Sequence, residues 1–119
     1  MSEIGYKNLK VLRNIFTVAW HPILIAVLLW MVVRYSKGKI VFTSGFRKGD
    51  SGVHGTDPLR GFDLRSWVFS DPQQVCDDIN KIWIYDPKRP EKTVAIYHDV
   101  GKGKHIHIQV HPNTIYKGE

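Results

Sequence analysis

Apolar and polar residues alternate along residues 105–111, which read His-Ile-His-Ile-Gln-Val-His. Successive side chains of a β-strand point to opposite faces, so this pattern predicts a strand whose Ile and Val side chains enter the core. His105, His107, Gln109 and His111 then share the other face. An ordinary polar outer face would give the same pattern, so the strand by itself does not establish a metal site.

The remaining apolar patterns predict further strands and several helices. The predicted strands are 39–45, 62–67 and 93–100, and the last forms a hairpin with 105–110 across a glycine-rich turn. Residues 46–61, with several glycines and Pro58, are predicted to form a loop. Helical spacing of apolar residues occurs in 3–16, in Pro22–Tyr35 and in 70–83.

The helix over 70–83 has a clear start. Ser70 or Asp71 can cap it, and Pro72 then lies in its first turn. With two helices before the first strand and this one before the last two, the order of elements predicts an α+β fold. We expect a small, mostly antiparallel sheet with helices packed on one side. Residues 1–20 are predicted to be an N-terminal helical extension and 21–119 a single domain.

Residues 15–33 contain no Asp, Glu, Lys or Arg, which is typical of a signal anchor or a membrane helix. However, His21-Pro22 interrupts the run, and Pro22 suits the first position of a new helix. A helix of about 14 residues reaches ~21 Å, less than the ~30 Å hydrocarbon core. A buried core helix in a soluble protein is favoured, and a signal anchor is the alternative. Since no small-residue cleavage site follows, we expect no cleavable signal peptide.

The composition limits the partners that the chain can bind. With 119 residues it forms one domain, and its single cysteine, Cys76, excludes an intramolecular disulfide. A formal net charge of +6 favours nucleic acid, anionic lipid or the acidic polymers of a bacterial wall. The basic residues are dispersed and no nucleic-acid motif is present, so nucleic acid is not an expected partner. Membrane association is possible but not favoured.

His54 and Asp63 are further candidate metal ligands, in addition to the histidines of the predicted strand 105–110. His54 lies in a glycine-rich segment, and Asp63 lies between the apolar residues Phe62 and Leu64. A hydrolytic zinc site needs three protein ligands, often His and carboxylate, and one open position. Together with one histidine of the strand, these two residues would complete such a set.

Four short motifs occur in order along the chain: Thr-Ser-Gly-Phe-Arg (43–47), Ser-Gly-Val-His-Gly (51–55), Gly-Phe-Asp-Leu-Arg (61–65) and His-Ile-His-Ile-Gln-Val (105–110). Together they resemble the zinc peptidases that cleave bacterial wall peptides. The family comprises D-Ala-D-Ala carboxypeptidases and L-alanyl-D-glutamate endopeptidases, including bacteriophage endolysins, and it shares its fold with lysostaphin-type endopeptidases and the hedgehog domain. The resemblance covers roughly residues 22–110, and it implies a hedgehog/D-Ala-D-Ala peptidase-like fold for 21–119.

The resemblance also implies roles for individual residues. His54, Asp63 and His107 match the ligands of Zn²⁺ in this family. Arg47 matches an arginine that stabilises the oxyanion or holds a substrate carboxylate, a role in which a cation faces developing negative charge. An ion pair with Asp50 is the structural alternative for Arg47.

The sequence departs from the family in two places. His54 and Asp63 are nine residues apart, more than is usual. Carboxypeptidase members also place a general-base glutamate shortly before the last histidine, where this chain has Lys102, Gly103 and Lys104. These departures leave the ligand interval and the identity of the general base open.

Lysostaphin-like relatives use histidines for this purpose, and His105 and His98 match their arrangement. An imidazole with a pKa near ~6.5 can act as an acid or a base around neutrality. We therefore expect His105 to be catalytic, with His98 or Asp99 assisting. The reverse assignment, with His105 as the ligand and His107 free, is the alternative.

The expected function is thus that of a zinc-dependent peptidase acting on the stem peptides of peptidoglycan. By the same resemblance we expect an endolysin-like phage product, active in the host or carried on the virion, and a bacterial origin is the alternative. One alternative is a catalytically silent zinc-binding interaction module of the same fold. Another is a nucleic-acid or membrane-surface protein that binds through its charge. The sequence leaves the cleaved bond and the oligomeric state undetermined.

Overall fold

The chain has an α+β architecture with a five-stranded, mostly antiparallel sheet, as the sequence predicts. The computed structural model describes residues 3–35, 39–99, 101 and 103–118. Within these residues the elements, in chain order, are β1 (Glu3–Tyr6), α1 (Leu9–Ile15), α2 (Pro22–Arg34), β2 (Lys39–Ser44), a short 3₁₀ helix (Val53–Gly55), β3 (Gly61–Arg65), α3 (Pro72–Ile82), β4 (Trp83–Ile84), β5 (Ala95–Asp99), β6 (Lys104–Gln109) and β7 (Ile115–Tyr116).

The order of strands in the main sheet is β1-β2-β3-β6-β5. β1 runs parallel to β2, and the other neighbours are antiparallel. In the central pair Asp63 lies opposite His107, while His105 lies opposite His98 on β5. This register brings the polar residues of three strands to one face of the sheet. β4 and β7 form a separate antiparallel pair.

The hydrophobic core covers the other face of the sheet. Phe62 and Leu64 of β3 and Ile106 and Ile108 of β6 are fully buried, as the alternation along each strand requires. They belong to one hydrophobic cluster with the buried residues of the three helices, so the helices pack against this face. The helical members are Val11 and Ile15 of α1, Leu24, Val27, Met31 and Val32 of α2, and Val75, Cys76 and Ile79 of α3.

The N-terminal segment differs from its predicted form. A helix was expected over residues 3–16, but Glu3–Tyr6 is a strand and the helix covers only Leu9–Ile15. Asn8 caps the start of α1, because its side chain accepts a hydrogen bond from the N–H of Val11. The extended segment therefore ends before the helix. The strand pairs with β2, more than 30 residues away, so the local apolar spacing could not reveal it.

One other predicted segment also needs adjustment. Trp83 was assigned to the end of a helix, but it begins β4 and pairs with Tyr116 of β7. The predicted hairpin is present as β5 and β6. Val100 and Lys102 of its turn lie outside the described residues.

Helix α2 begins and ends close to its predicted bounds but is buried on one side only. The His21 ring accepts a hydrogen bond from the N–H of Ile23 and caps the helix, and Pro22 occupies its first position. The helix contributes four buried residues to the core, as the expected core helix would, but the side chains of Ile25, Leu29 and Val33 are exposed. Among the described residues, no helix has both the length and the apolar content needed to cross a membrane.

The structure decides which residue caps α3. The Asp71 carboxylate accepts a hydrogen bond from the N–H of Gln74 at 3.1 Å, so Asp71 and not Ser70 is the N-cap. We expect Asp71→Ala to lower the free energy of unfolding by about 1 kcal/mol, because an N–H of the first turn loses its acceptor. Urea unfolding at neutral pH measures the change. The matched control, Ser70→Ala, should be close to neutral, and equal losses for both variants would contradict this assignment.

Candidate metal centre

Asp63 is the centre of a histidine cluster on the polar face of the sheet. It lies directly opposite His107 across the β3–β6 pair, and its Oδ1 atom is 2.9 Å from His107 Nδ1. Phe62 and Leu64 on either side enter the core, which fixes Asp63 on the opposite face. The strand register therefore holds this carboxylate against the histidine.

His54 reaches the same carboxylate from the 3₁₀ helix. Its Nε2 atom is 3.3 Å from Asp63 Oδ1. The loop is held beside β2 because the N–H of Arg47 donates to the carbonyl of His54 at 2.6 Å. A side chain at Gly55 would collide with the carbonyl oxygen of Asp50, so this turn accepts only glycine at that position. The nine-residue interval between His54 and Asp63 is thus accommodated by a folded loop.

These three residues could hold a metal ion. Their candidate ligand atoms all lie within 4.8 Å of one another. The side chains of His54, Asp63 and His107 are only 5%, 9% and 12% exposed. Each is therefore largely withdrawn from water, and the charge of the carboxylate needs a partner inside the protein.

The outer nitrogen of His107 is held by Gln109. The Gln109 amide donates through Nε2 to the carbonyl of Thr93 at 2.9 Å, so its Oε1 atom must face His107. That oxygen lies 3.1 Å from His107 Nε2 and can only accept a hydrogen bond. His107 Nε2 therefore carries a proton, and in the neutral ring the lone pair is on Nδ1, which faces Asp63.

His54 is oriented in the same way by the backbone. Its Nδ1 atom is 2.8 Å from the carbonyl oxygen of Gly45, which can only accept. The proton of the neutral ring is therefore on Nδ1, and the lone pair of Nε2 faces Asp63. Two imidazole lone pairs and a carboxylate thus converge, and three acceptors this close need a cation between them. Either a metal ion or additional protons on the rings can supply it, and the two compete.

The charge state of Asp63 follows from its neighbours. Burial raises the pKa of this carboxyl, but the hydrogen bonds and charges of the His107 and His54 rings, when these are doubly protonated, outweigh burial. The pKa of Asp63 therefore lies well below its ordinary value, and the group is a carboxylate at neutral pH. It offers a negative ligand to a cation across the pH range in which histidine titrates.

His105 and His98 complete the cluster. His105 Nε2 is 3.6 Å from Asp63 Oδ1, and the His105 and His98 rings are in edge contact with centroids 4.7 Å apart. Burial lowers the pKa of His98, and the nearby His105 and His107 lower it further. Four histidines and one aspartate that the sequence selected therefore lie together on one face.

Arg47 and Asp99 are engaged elsewhere. The Arg47 guanidinium pairs with Asp50 at 3.3 Å and its side chain is half exposed. Asp99 is exposed, and its Oδ1 atom accepts the N–H groups of Gly101 and Gly103 in the turn. Asp99 also alternates with His98 along β5, so the two side chains leave opposite faces of the strand. Catalytic roles for Arg47 and Asp99 stay predictions.

Sequence reasoning missed the residues that orient the cluster. Gln109 shares a strand face with His107, so the alternation alone could have identified it as a neighbour. Nothing local indicated Thr93, which lies on another segment of the chain. Arg65 was also missed: it lies opposite His105 on the polar face, and its guanidinium stacks on the Trp67 ring.

Comparison of the chain with protein-family models, with curated proteins and with solved structures gave no match. The resemblance to wall peptidases therefore depends on the four motifs, and the case for a site depends on the geometry of the cluster.

Gln109 provides a test of this geometry. We expect Gln109→Ala to weaken Zn²⁺ binding about 10–100-fold, because His107 loses the acceptor that fixes its ring and its tautomer. Competition with a chromophoric chelator measures the affinity. Gln109→Glu keeps an acceptor and should retain most of the affinity, and Gln73→Ala on the exposed side of α3 is the control. An unchanged affinity in Gln109→Ala would contradict the proposed orientation of His107.

Proposed function

We propose that the chain is a zinc-dependent peptidase that hydrolyses peptide bonds in the stem peptides of bacterial peptidoglycan. In this proposal residues 21–119 form the peptidase-like domain that the motifs imply. One observation carries it: His54, Asp63 and His107, the three residues that match the family's ligands, bring their candidate ligand atoms within 4.8 Å of one another, and the outer nitrogens of both rings face acceptors.

The chemistry of the three donors favours zinc. Imidazole nitrogen and carboxylate oxygen are its common ligands at about 2.0–2.2 Å, and tetrahedral geometry then separates two ligands by about 3.3 Å. The separation of 3.3 Å between His54 Nε2 and Asp63 Oδ1 agrees with this value, whereas the 2.9 Å between His107 Nδ1 and Asp63 Oδ1 is shorter and is that of a hydrogen bond. Three protein ligands leave a fourth position open, as hydrolytic sites do. When bound there, zinc supplies a Lewis acid that polarises water and a carbonyl oxygen.

The chain's own residues supply the proton transfers. His105 Nε2 lies beside the ligand carboxylate, so it is positioned to accept a proton from the attacking water and return it to the leaving amine. His98 contacts the His105 ring, and its lowered pKa keeps it neutral near pH 7. His98 therefore assists as a second acceptor. Arg47 serves the oxyanion or a substrate carboxylate if substrate displaces its ion pair with Asp50.

A catalytically silent zinc-binding module is the second candidate. It is favoured by two contacts: the Arg47 guanidinium is paired with Asp50, and the Asp99 carboxylate caps its own turn, so both side chains are engaged outside the cluster. The family's glutamate is also replaced by Lys102-Gly103-Lys104. Such a module would bind zinc and release no wall fragments.

Two histidine variants separate the metal ligand from the proton acceptor. We expect His107→Ala to lose both zinc and activity, because one of three protein ligands is removed. His105→Ala should keep zinc and lose about 10²–10⁴-fold in kcat, the usual contribution of a general base. Metal analysis of purified protein and turnover of wall peptides provide the measurements. His111→Ala is the control, because His111 lies beside Asp86 and away from the cluster. Loss of zinc in His105→Ala alone would support the reverse assignment.

The reaction itself is tested on purified peptidoglycan. We expect mass spectrometry to detect defined stem-peptide fragments that disappear with a chelator and return with added Zn²⁺. The masses identify the cleaved bond. No release from several wall types by protein that contains zinc would contradict the peptidase and favour the silent module.

A further inference from the structure

The N-terminal elements expose an apolar surface that the proposed peptidase does not use. Seven of the ten large apolar side chains that are exposed in the described residues lie within residues 4–33. We call the following set the apolar face: Ile4 and Tyr6 of β1, Leu9 of α1, Phe16 after α1, and Ile25, Leu29 and Val33 of α2.

Four residues of the apolar face line one groove. β1, α1 and α2 surround one groove of about 410 Å³, whose lining includes Ile4, Tyr6, Phe16 and Ile25. Leu29 and Val33 follow Ile25 at intervals of four residues, so they extend the same side of α2. Phe16 is 75% exposed, Leu29 58% and Val33 68%. Contiguous exposed apolar surface of this kind marks an interaction site.

The positive charge of the protein is concentrated in the same part of the chain. Residues 1–49 contain eight Lys and Arg against one Glu, whereas residues 50–119 contain nine Lys and Arg against ten Asp and Glu. The net charge of +6 therefore comes entirely from the segment that carries the apolar face. Lys7, Lys10 and Arg13 are exposed on β1–α1, and Arg34 is exposed at the end of α2.

We propose that the apolar face docks on the surface of an anionic lipid membrane. No side chain lining the groove is charged, and the Trp20 indole N–H already donates to the carbonyl of Ile15. The groove therefore offers almost no directional polar group with which to recognise a protein partner, and acyl chains require none. The exposed Lys and Arg of the same elements match lipid phosphates, and apolar contact combined with basic charge is what interfacial binding requires.

This binding mode places the histidine cluster away from the lipid. α1 and α2 pack on the core face of the sheet, while Asp63 and the histidines occupy the opposite face. Docking therefore holds the chain at a membrane and leaves the cluster open towards the aqueous side. No residue of the apolar face belongs to the cluster, so this inference does not depend on the proposed peptidase activity.

Flotation with vesicles tests the proposal on the full chain. We expect binding to vesicles of equal parts phosphatidylglycerol and phosphatidylcholine, and much weaker binding to phosphatidylcholine alone. Lys7→Gln, Lys10→Gln and Arg13→Gln should each lower the partition coefficient about fivefold at low salt. Raising the salt to about 0.5 M should weaken binding of the unaltered chain, since exposed charges are screened.

A second variant tests the apolar contribution. Leu29→Ser with Val33→Ser should lower the partition coefficient about tenfold or more, because both side chains lose their contact with acyl chains. Ile115→Ser, an exposed apolar residue on β7, is the matched control and should bind as the unaltered chain does. Unchanged thermal unfolding of each variant confirms that the fold is retained.

Three results would overturn the proposal. The first is absence of binding to anionic vesicles, and the second is equal binding to neutral and anionic vesicles. The third is a dimer in sedimentation experiments that Leu29→Ser with Val33→Ser dissociates, without vesicle binding, because the face would then pair with a second copy of the chain.

Discussion

The buried carboxylate of Asp63 is the constraint around which the polar half of the molecule is arranged. Three imidazole nitrogens, from His54, His105 and His107, lie within 3.6 Å of its Oδ1 atom. A charge withdrawn from water in this way must be compensated, and only a metal ion or protons on the rings can do so here. The carbonyl oxygen of Gly45 accepts a hydrogen bond from His54, and the side-chain oxygen of Gln109 accepts one from His107. In the neutral rings both lone pairs therefore face Asp63. The surrounding contacts therefore prepare the cluster for a cation.

The sheet separates two kinds of surface with different chemistry. On one face, alternate residues of β3 and β6 join a core covered by three helices; on the other, the same strands carry the histidine cluster. α2 has apolar side chains on both sides, and only one side is buried in the core. A helix that is apolar all round normally needs cover on every side. The proposed membrane docking would supply that cover and would leave the cluster accessible to a substrate.

Much of the fold could be predicted from the sequence, because its signals are local. Alternation identified β3, β5 and β6, and Pro22 and Pro72 marked the first residues of α2 and α3. The short strands β1, β4 and β7 were missed, since two to four residues carry no readable period and their pairing depends on distant partners. For the site, residue types and motif order selected His54, Asp63, His98, His105 and His107, which the fold brings together.

The sequence by itself determined which face of each strand the clustered residues occupy, because side-chain alternation is a property of the single strand. Only the tertiary structure decided that His54 and Asp63 meet across a nine-residue interval, and that Gln109 and Thr93 orient His107. It also left one side of α2 bare. These features depend on strand register and on packing between distant segments, and no local pattern encodes either.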